Sequence, residues 1–237
     1  MRSIAVLLVL FMGLSPATAG SGDRSMRVVV VVIGDSLADG LWGSLYRTYI
    51  RSRDVRIVRE TRNSAGFTNY NWQRRLRHIL QRHPTIDAAV IQLGANDRQW
   101  IRSGKGDRPL FGTDRWQEVY QERVETFMKT LTKRRIPVFW VGLPIMRDRK
   151  VRNAAVLMNR IFREAAQSQQ AIFVPTWSAT ASKAGEFVTF IRDRRGRLRR
   201  LRHTDGIHSS PIGYDRAGRE VIEALRRQLD DLPPGRR

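Results

Sequence analysis

The stretch Arg27-Val28-Val29-Val30-Val31-Val32-Ile33, closed by Gly34, constrains the architecture more than any other part of the sequence. β-branched side chains are stiff and pack well on a pleated surface, and a run without polar alternation marks a strand covered on both faces. Such a strand belongs inside a parallel sheet with helices on either side. The remaining segments fit that plan. Residues 37–50, 71–81, 116–134, 153–168 and 214–229 read as helices, and residues 55–58, 88–93, 137–143 and 171–174 as further strands. Strands and helices alternating across short gaps predict an α/β fold. The expectation is a three-layer α/β/α sandwich around a central, mostly parallel five-stranded sheet, formed as one domain by residues 27–231. Two stretches break the rhythm. Residues 98–113 are polar, rich in glycine and too long for an ordinary connection. Residues 188–201 flank Arg194-Arg195-Gly196-Arg197 with apolar positions and read as a small β-hairpin. Both belong near the strand ends, where open sheets of this kind bind ligands.

A chain of 237 residues can bury a substantial core without disulfides, and this one has no cysteine at all. A thiol nucleophile and a thiolate metal site are thereby excluded. Hydrophobic residues at 41% and charged residues at 27% exclude the disordered and membrane classes. The N-terminus stands apart. Arg2, an apolar run over residues 4–14 and the small-residue pattern Ala17-Thr18-Ala19 follow the plan of a secretory signal peptide. Cleavage is expected near Ala19, ahead of a polar linker over 20–26, with a periplasmic or secreted product and no stable membrane span. A buried N-terminal helix and an uncleaved anchor are the rival readings. Pro233-Pro234-Gly235 ends the order, so residues 232–237 read as a disordered tail.

The formal net charge is +21, and of 43 basic residues only five are lysine. Such a balance invites a nucleic-acid partner. Export and the spread of arginine over the whole chain argue against one. The excess reflects either codon usage or attraction to anionic envelope polymers and acidic head groups.

Four short blocks carry the chemistry. Gly34-Asp35-Ser36-Leu37 lies between the first buried strand and a helix, where Ser36 stands on a tight turn with its N–H at a helix N-terminus. A hydroxyl needs a base to become a nucleophile. Of the four histidines, His78 and His83 read as surface positions and His203 follows a basic run. His208 has Asp205 three residues before it, a spacing that lets a carboxylate hold one imidazole nitrogen while the other faces the serine. A metal pair is the rival for these two residues, though no further ligand stands at convincing spacing. Gly94-Ala95-Asn96-Asp97 directly follows a buried strand and can present the Asn96 amide over the same edge, and Gly66 in Asn63-Ser64-Ala65-Gly66 offers an unobstructed N–H. Acyl transfer needs such donors for its oxyanion. Asp35 and Asp97 read as structural acceptors for loop N–H groups. Trp42, Trp72, Trp140 and Trp177 read as core, whereas Trp100 and Trp116 are candidates for a substrate-contacting wall.

These four blocks, in the order Ser, Gly, Asn, His, resemble the SGNH/GDSL hydrolases over almost the whole chain after residue 26. The longer run Gly34-Asp35-Ser36-Leu37-Ala38-Asp39-Gly40-Leu41-Trp42, with Val141-Gly142-Leu143-Pro144, is similar to an exported bacterial branch of that family. The resemblance implies a flavodoxin-like sheet, a Ser36-His208-Asp205 triad, oxyanion donors from Ser36 N–H, Gly66 N–H and Asn96, and no metal or other cofactor. It implies an ester hydrolase, with O-acyl groups on envelope or extracellular polysaccharide as the substrate that export and basic charge suit. Lipid, aryl or thioester hydrolysis, acetyl transfer by the same triad, and a non-catalytic polysaccharide binder are the alternatives. One departure is Ser209-Ser210-Pro211 after the histidine, where the family often has an apolar or aromatic residue.

Overall fold

The run of valines forms the centre of the molecule in the computed structural model, which describes residues 27–229. The segments read as signal peptide (1–19), linker (20–26) and tail (232–237) lie outside the described residues. β1 (Val28–Gly34) is flanked by β2 (Val55–Thr61) and β3 (Ala88–Gln92), followed by β4 (Val138–Val141) and β5 (Ile172–Val174). The sheet order is β2-β1-β3-β4-β5, and every neighbouring pair is parallel. The expected "mostly parallel" sheet is therefore parallel throughout.

Alternation along β1 assigns its two faces. Val31 and Ile33 pack with α2 (Trp72–Arg82), α3 (Asp114–Thr132) and α4 (Arg149–Ser168). Val30 and Val32 pack on the opposite side with α1 (Ser36–Tyr49) and α5 (Pro211–Gln228). A strand with both faces covered has no room for polar alternation, which accounts for its composition. In this order the chain leaves β1 toward β2 on one side and returns to β3 on the other. The crevice at the carboxyl ends of β1 and β3 is the topological switch point, where open α/β sheets bind ligands.

The elements differ from their sequence-based bounds mainly where charge is involved. β2 continues through Arg59-Glu60-Thr61, because buried Glu60 is held by Arg75 and Arg82 and by His83 at 2.7–2.8 Å. His83 is thus half-buried against a carboxylate, not a free surface residue, whereas His78 is exposed. α4 begins four residues earlier than expected, at Arg149, since Asp148 caps it by accepting from Val151 N–H. α5 begins at Pro211 behind a Ser210 cap, with proline in the first turn where its missing N–H loses nothing. The hairpin forms as expected, with β6 (Phe190–Arg192) antiparallel to β7 (Leu198–Arg200). Among the described residues no helix is long and apolar enough to cross a membrane.

Candidate active site

The end of β1 makes the site. Asp35, not Ser36, caps α1: its Oδ1 accepts from Leu37 N–H at 2.9 Å. Ser36 Oγ is left free to meet His208 Nε2 at 2.7 Å, and His208 Nδ1 meets Asp205 Oδ2 at 2.7 Å. The three residues that the sequence singled out are joined in one chain of hydrogen bonds, across 172 positions of sequence. Burial opposes charge on Asp205, but donation from Ile207 N–H, the His208 ring and His208 N–H outweighs it and holds the carboxyl down to about 2. Asp205 is therefore an anion at neutral pH, able to orient the imidazole and stabilise its protonated form.

Of the three expected oxyanion donors, two are free. Ser36 N–H lies at the helix start with no protein acceptor among the described residues. Asn96 donates through Nδ2 to Asp35 Oδ2 at 3.1 Å, which leaves its second amide hydrogen available. Gly66 N–H is taken: it donates to Asn69 Oδ1 at 2.7 Å, while Asn69 Nδ2 donates to Ser64 O at 3.0 Å. Its service as a donor requires Asn69 to swing away. The glycine is dictated by packing instead, since a Cβ there would lie 2.1 Å from Asp97 Oδ1. Asp97 is buried and satisfied by Thr68 N–H, Thr68 Oγ1 and Tyr120 OH at 2.8–2.9 Å. It is the structural acceptor that the sequence implies.

Asp35 does more than cap a helix, because it also fixes the Asn96 amide. Burial, supported by the nearby Asp97 charge, raises its carboxyl to about 7 against the hydrogen bonds from Leu37 and Asn96. The folded state then holds the Asp35 proton more tightly than the unfolded chain, whose value is near 3.8. Stability from this group is full below the unfolded value and is lost as pH rises through about 7. The melting-temperature advantage of wild type over Asp35→Asn is thus expected to shrink between about pH 5 and about pH 8. A constant difference over that range, measured by calorimetry, would mean that Asp35 is ionised throughout.

A cleft of about 350 Å³ opens beside the serine, lined by Ser36, Asp39, Gly40, His203, Asp205, His208, Ser209 and Tyr214. Five of these, Asp39, Gly40, His203, Ser209 and Tyr214, were not read as site residues. Asp39 binds Arg59 at 2.6 Å and accepts from Thr61 Oγ1 at 2.7 Å. Tyr214 lies against Gly40, where a Cβ would come within 2.0 Å of the phenol ring. An isolated glycine inside a helix pattern signals such close approach, so Gly40 was the available clue to Tyr214. Burial pushes the Tyr214 phenol up to about 12, keeping it a neutral hydroxyl at the cleft. Ser209 lines the cleft and Ser210 caps α5, so the departure after the histidine shapes a polar wall.

Of the two tryptophans proposed as a substrate wall, Trp116 does not take that place. Trp116 is fully buried, stacked on Tyr120 at 4.5 Å, and its Nε1 donates to Gln99 O at 2.9 Å. It faces inward from the first turn of α3 and anchors the 98–113 segment, as do buried Ile101 and the Arg123 guanidinium on Arg102 O. Trp100 is 42% exposed, with the Arg108 guanidinium over its ring at 4.8 Å.

Residues 29–224 match the model of a family described as protein of unknown function, DUF459. The chain belongs to this family. No curated protein matches the sequence. Among solved structures, this DUF459 chain is similar to a carbohydrate acetylesterase from Sinorhizobium meliloti, with TM-score 0.61 and 14% identity over 86% of this chain and 100% of that one. It is similar to a GDSL-like lipase from Bacteroides thetaiotaomicron, with TM-score 0.57 and 14% identity over 85% of this chain and 89% of the other. A catalytic mutant of an acetylxylan esterase from Geobacillus stearothermophilus gives TM-score 0.58 and 15% identity, over 90% and 98% of the two chains. The fold of this DUF459 chain is that of the SGNH/GDSL hydrolases.

Arg202 was missed by sequence reasoning, because it reads as one more residue of a basic run. Its side chain is fully buried, and it donates to Ile145 O at 2.5 Å, Ile207 O at 2.7 Å and His208 O at 3.3 Å. Burial lowers its guanidinium to about 10, still a cation at neutral pH. One rigid fork thus ties the loop after β4 to the backbone carrying His208. Arg202→Lys keeps the charge and loses the fork, so kcat is expected to fall by roughly 10²-fold with little change in KM, as a misplaced base would produce. An unchanged kcat in a folded variant would limit Arg202 to packing.

Proposed function

We propose that this chain is an exported serine ester hydrolase that removes short acyl groups, acetyl above all, from envelope or extracellular polysaccharide. The observation that carries the reading is the relay from Ser36 Oγ through His208 to Asp205, with both contacts at 2.7 Å. Ser36 Oγ attacks the acyl carbon and gives its proton to His208 Nε2. Asp205 accepts from Nδ1–H and stabilises the imidazolium. The oxyanion meets Ser36 N–H and the free Asn96 hydrogen, donors that are set in place before the reaction. His208 then protonates the leaving alcohol, and water, activated by the same base, clears the acyl-enzyme.

The cleft supports a short acyl group on a polar alcohol. Asp39, His203 and Tyr214 supply polar groups where a lipid chain would need an apolar channel. Structural neighbours described as carbohydrate acetylesterase and acetylxylan esterase support the carbohydrate part of this reading. The signal-like start at residues 1–19 supports export.

A panel of p-nitrophenyl esters of increasing acyl length, together with acetylated glycans, tests the proposal with wild type and Ser36→Ala side by side. Release of p-nitrophenol that declines with acyl length, together with release of acetate from the glycans, both lost in the variant, is the expected result. Preference for long acyl chains would overturn the substrate class. Activity that survives Ser36→Ala would overturn the mechanism.

A further inference from the structure

Resting on that ester-hydrolase reading, we propose that the β6–β7 hairpin is a docking arm for an acidic polysaccharide, whose ester groups it brings to Ser36. Positions 192–200 hold six arginines and a single carboxylate, Asp193. That carboxylate is already engaged within the turn, by Arg197 at 3.1 Å and by Arg195 N–H and Arg197 N–H. Among the described residues no carboxylate pairs with Arg192, Arg194, Arg195, Arg199 or Arg200. All five are exposed. Arginine is scattered over the whole chain, but nowhere else do six stand within nine positions.

The register decides what kind of polyanion fits. Phe190 pairs with Arg200, and Arg192 with Leu198, so these four side chains share one face. The Arg200 guanidinium lies 5.4 Å from the Phe190 ring centroid. Phe190 is 43% exposed and Leu198 62%, each beside an arginine, while the tip is Arg194-Arg195-Gly196. A hairpin that enters a membrane carries its apolar residues at the tip, and this one carries charge there. Guanidinium forks match carboxylates bidentately, and a ring set among them offers an apolar face to a sugar. That combination suits a glycan bearing carboxylates.

The arm is fixed to the catalytic loop. Leu201 N–H and Arg202 N–H both donate to Thr189 O, at 2.8 and 3.3 Å, and Ser210 Oγ donates to Arg200 O at 2.6 Å. His203, which lines the cleft, stands three residues beyond Arg200, a reach of at most ~11 Å along the chain. A polymer lying on β7 therefore runs toward Ser36.

The test compares wild type with Arg194→Ser/Arg195→Ser/Arg199→Ser on three acetyl esters: p-nitrophenyl acetate, acetylated xylan and acetylated polygalacturonate. The side chains of the three arginines make no hydrogen bond among the described residues, and the Arg195 N–H bond to Asp193 is a backbone contact that serine keeps, so the fold should persist, as a circular dichroism melt would show. On acetylated polygalacturonate the KM of the variant is expected to rise roughly tenfold or more, and the wild-type KM to rise with salt. On the small ester and on the less charged xylan, wild type and variant should agree. Equal KM values on all three substrates would overturn the docking arm, as would wild-type binding to phosphatidylglycerol vesicles with none to the polymer. Calorimetric titration with unacetylated polygalacturonate separates the two proposals. Binding lost in the variant supports the arm even if no ester is cleaved, whereas ester cleavage without such binding leaves the hydrolase reading standing and removes the arm.

Discussion

Ser36→Ala is expected to lower kcat by roughly four to six orders of magnitude while the fold survives, and His208→Ala by a similar amount. The two side chains share one hydrogen bond of 2.7 Å, and neither acts without the other. Once the hydroxyl is gone the imidazole has no proton to take, and without the imidazole the hydroxyl stays a poor nucleophile. The double variant should therefore be no slower than the worse single one, because losses within one catalytic unit do not add. Rates for the two singles and the double, measured on p-nitrophenyl acetate, check this. A double variant slower by the product of the two effects would dissolve the unit. Melting temperatures should barely move, since Ser36 and His208 lie at the cleft and not in the core.

Asn96→Ala is expected to lower kcat by about 10²–10³, or ~2.7–4 kcal/mol of transition-state stabilisation, with KM little changed. The amide is held by Asp35 Oδ2 at 3.1 Å, and its remaining hydrogen meets the substrate oxygen only after the carbonyl becomes tetrahedral. Asn96→Asp should be more damaging than Ala. It sets a second carboxyl against Asp35, already raised to about 7 by burial, and aims negative charge at the developing oxyanion. Its kcat should be lowest where both carboxyls ionise. Near-normal turnover of Asn96→Asp at neutral pH would remove Asn96 from the oxyanion hole and leave it a loop residue.

Much of this was legible along the chain. Patterns such as the valine run and the alternation of strands and helices record which faces are covered, and that depends on local composition. The Ser36, Asn96 and Asp205/His208 blocks were legible because each sits at the end of a strand or in a terminal loop, where a short motif keeps its own geometry. Ser209 and Ser210, a departure from the family pattern, became intelligible only once one lined the cleft and the other capped α5.

What the sequence could not state is where side chains point when both choices are chemically reasonable. Trp116 and Trp100 look alike in a polar insertion, but the first turn of α3 aims one into the core and leaves the other outside. Gly66 is a free amide in the sequence and a bonded one in the structure, because a turn brings Asn69 Oδ1 to it. Arg202 is one cation among many until burial turns it into a three-way clamp on backbone carbonyls. By itself, then, the sequence determined the sheet, the serine, histidine and aspartate that meet at its edge, and the presence of a basic hairpin, each marked by a pattern between near neighbours. Tertiary structure alone decided which donors are free, which tryptophan is buried and what holds His208 in place. Most of those outcomes depend on groups brought together from distant positions, as Asn96 with Asp35 and Arg202 with Ile145, and hydrogen-bond competition, even within the turn of Gly66 and Asn69, has no one-dimensional signature.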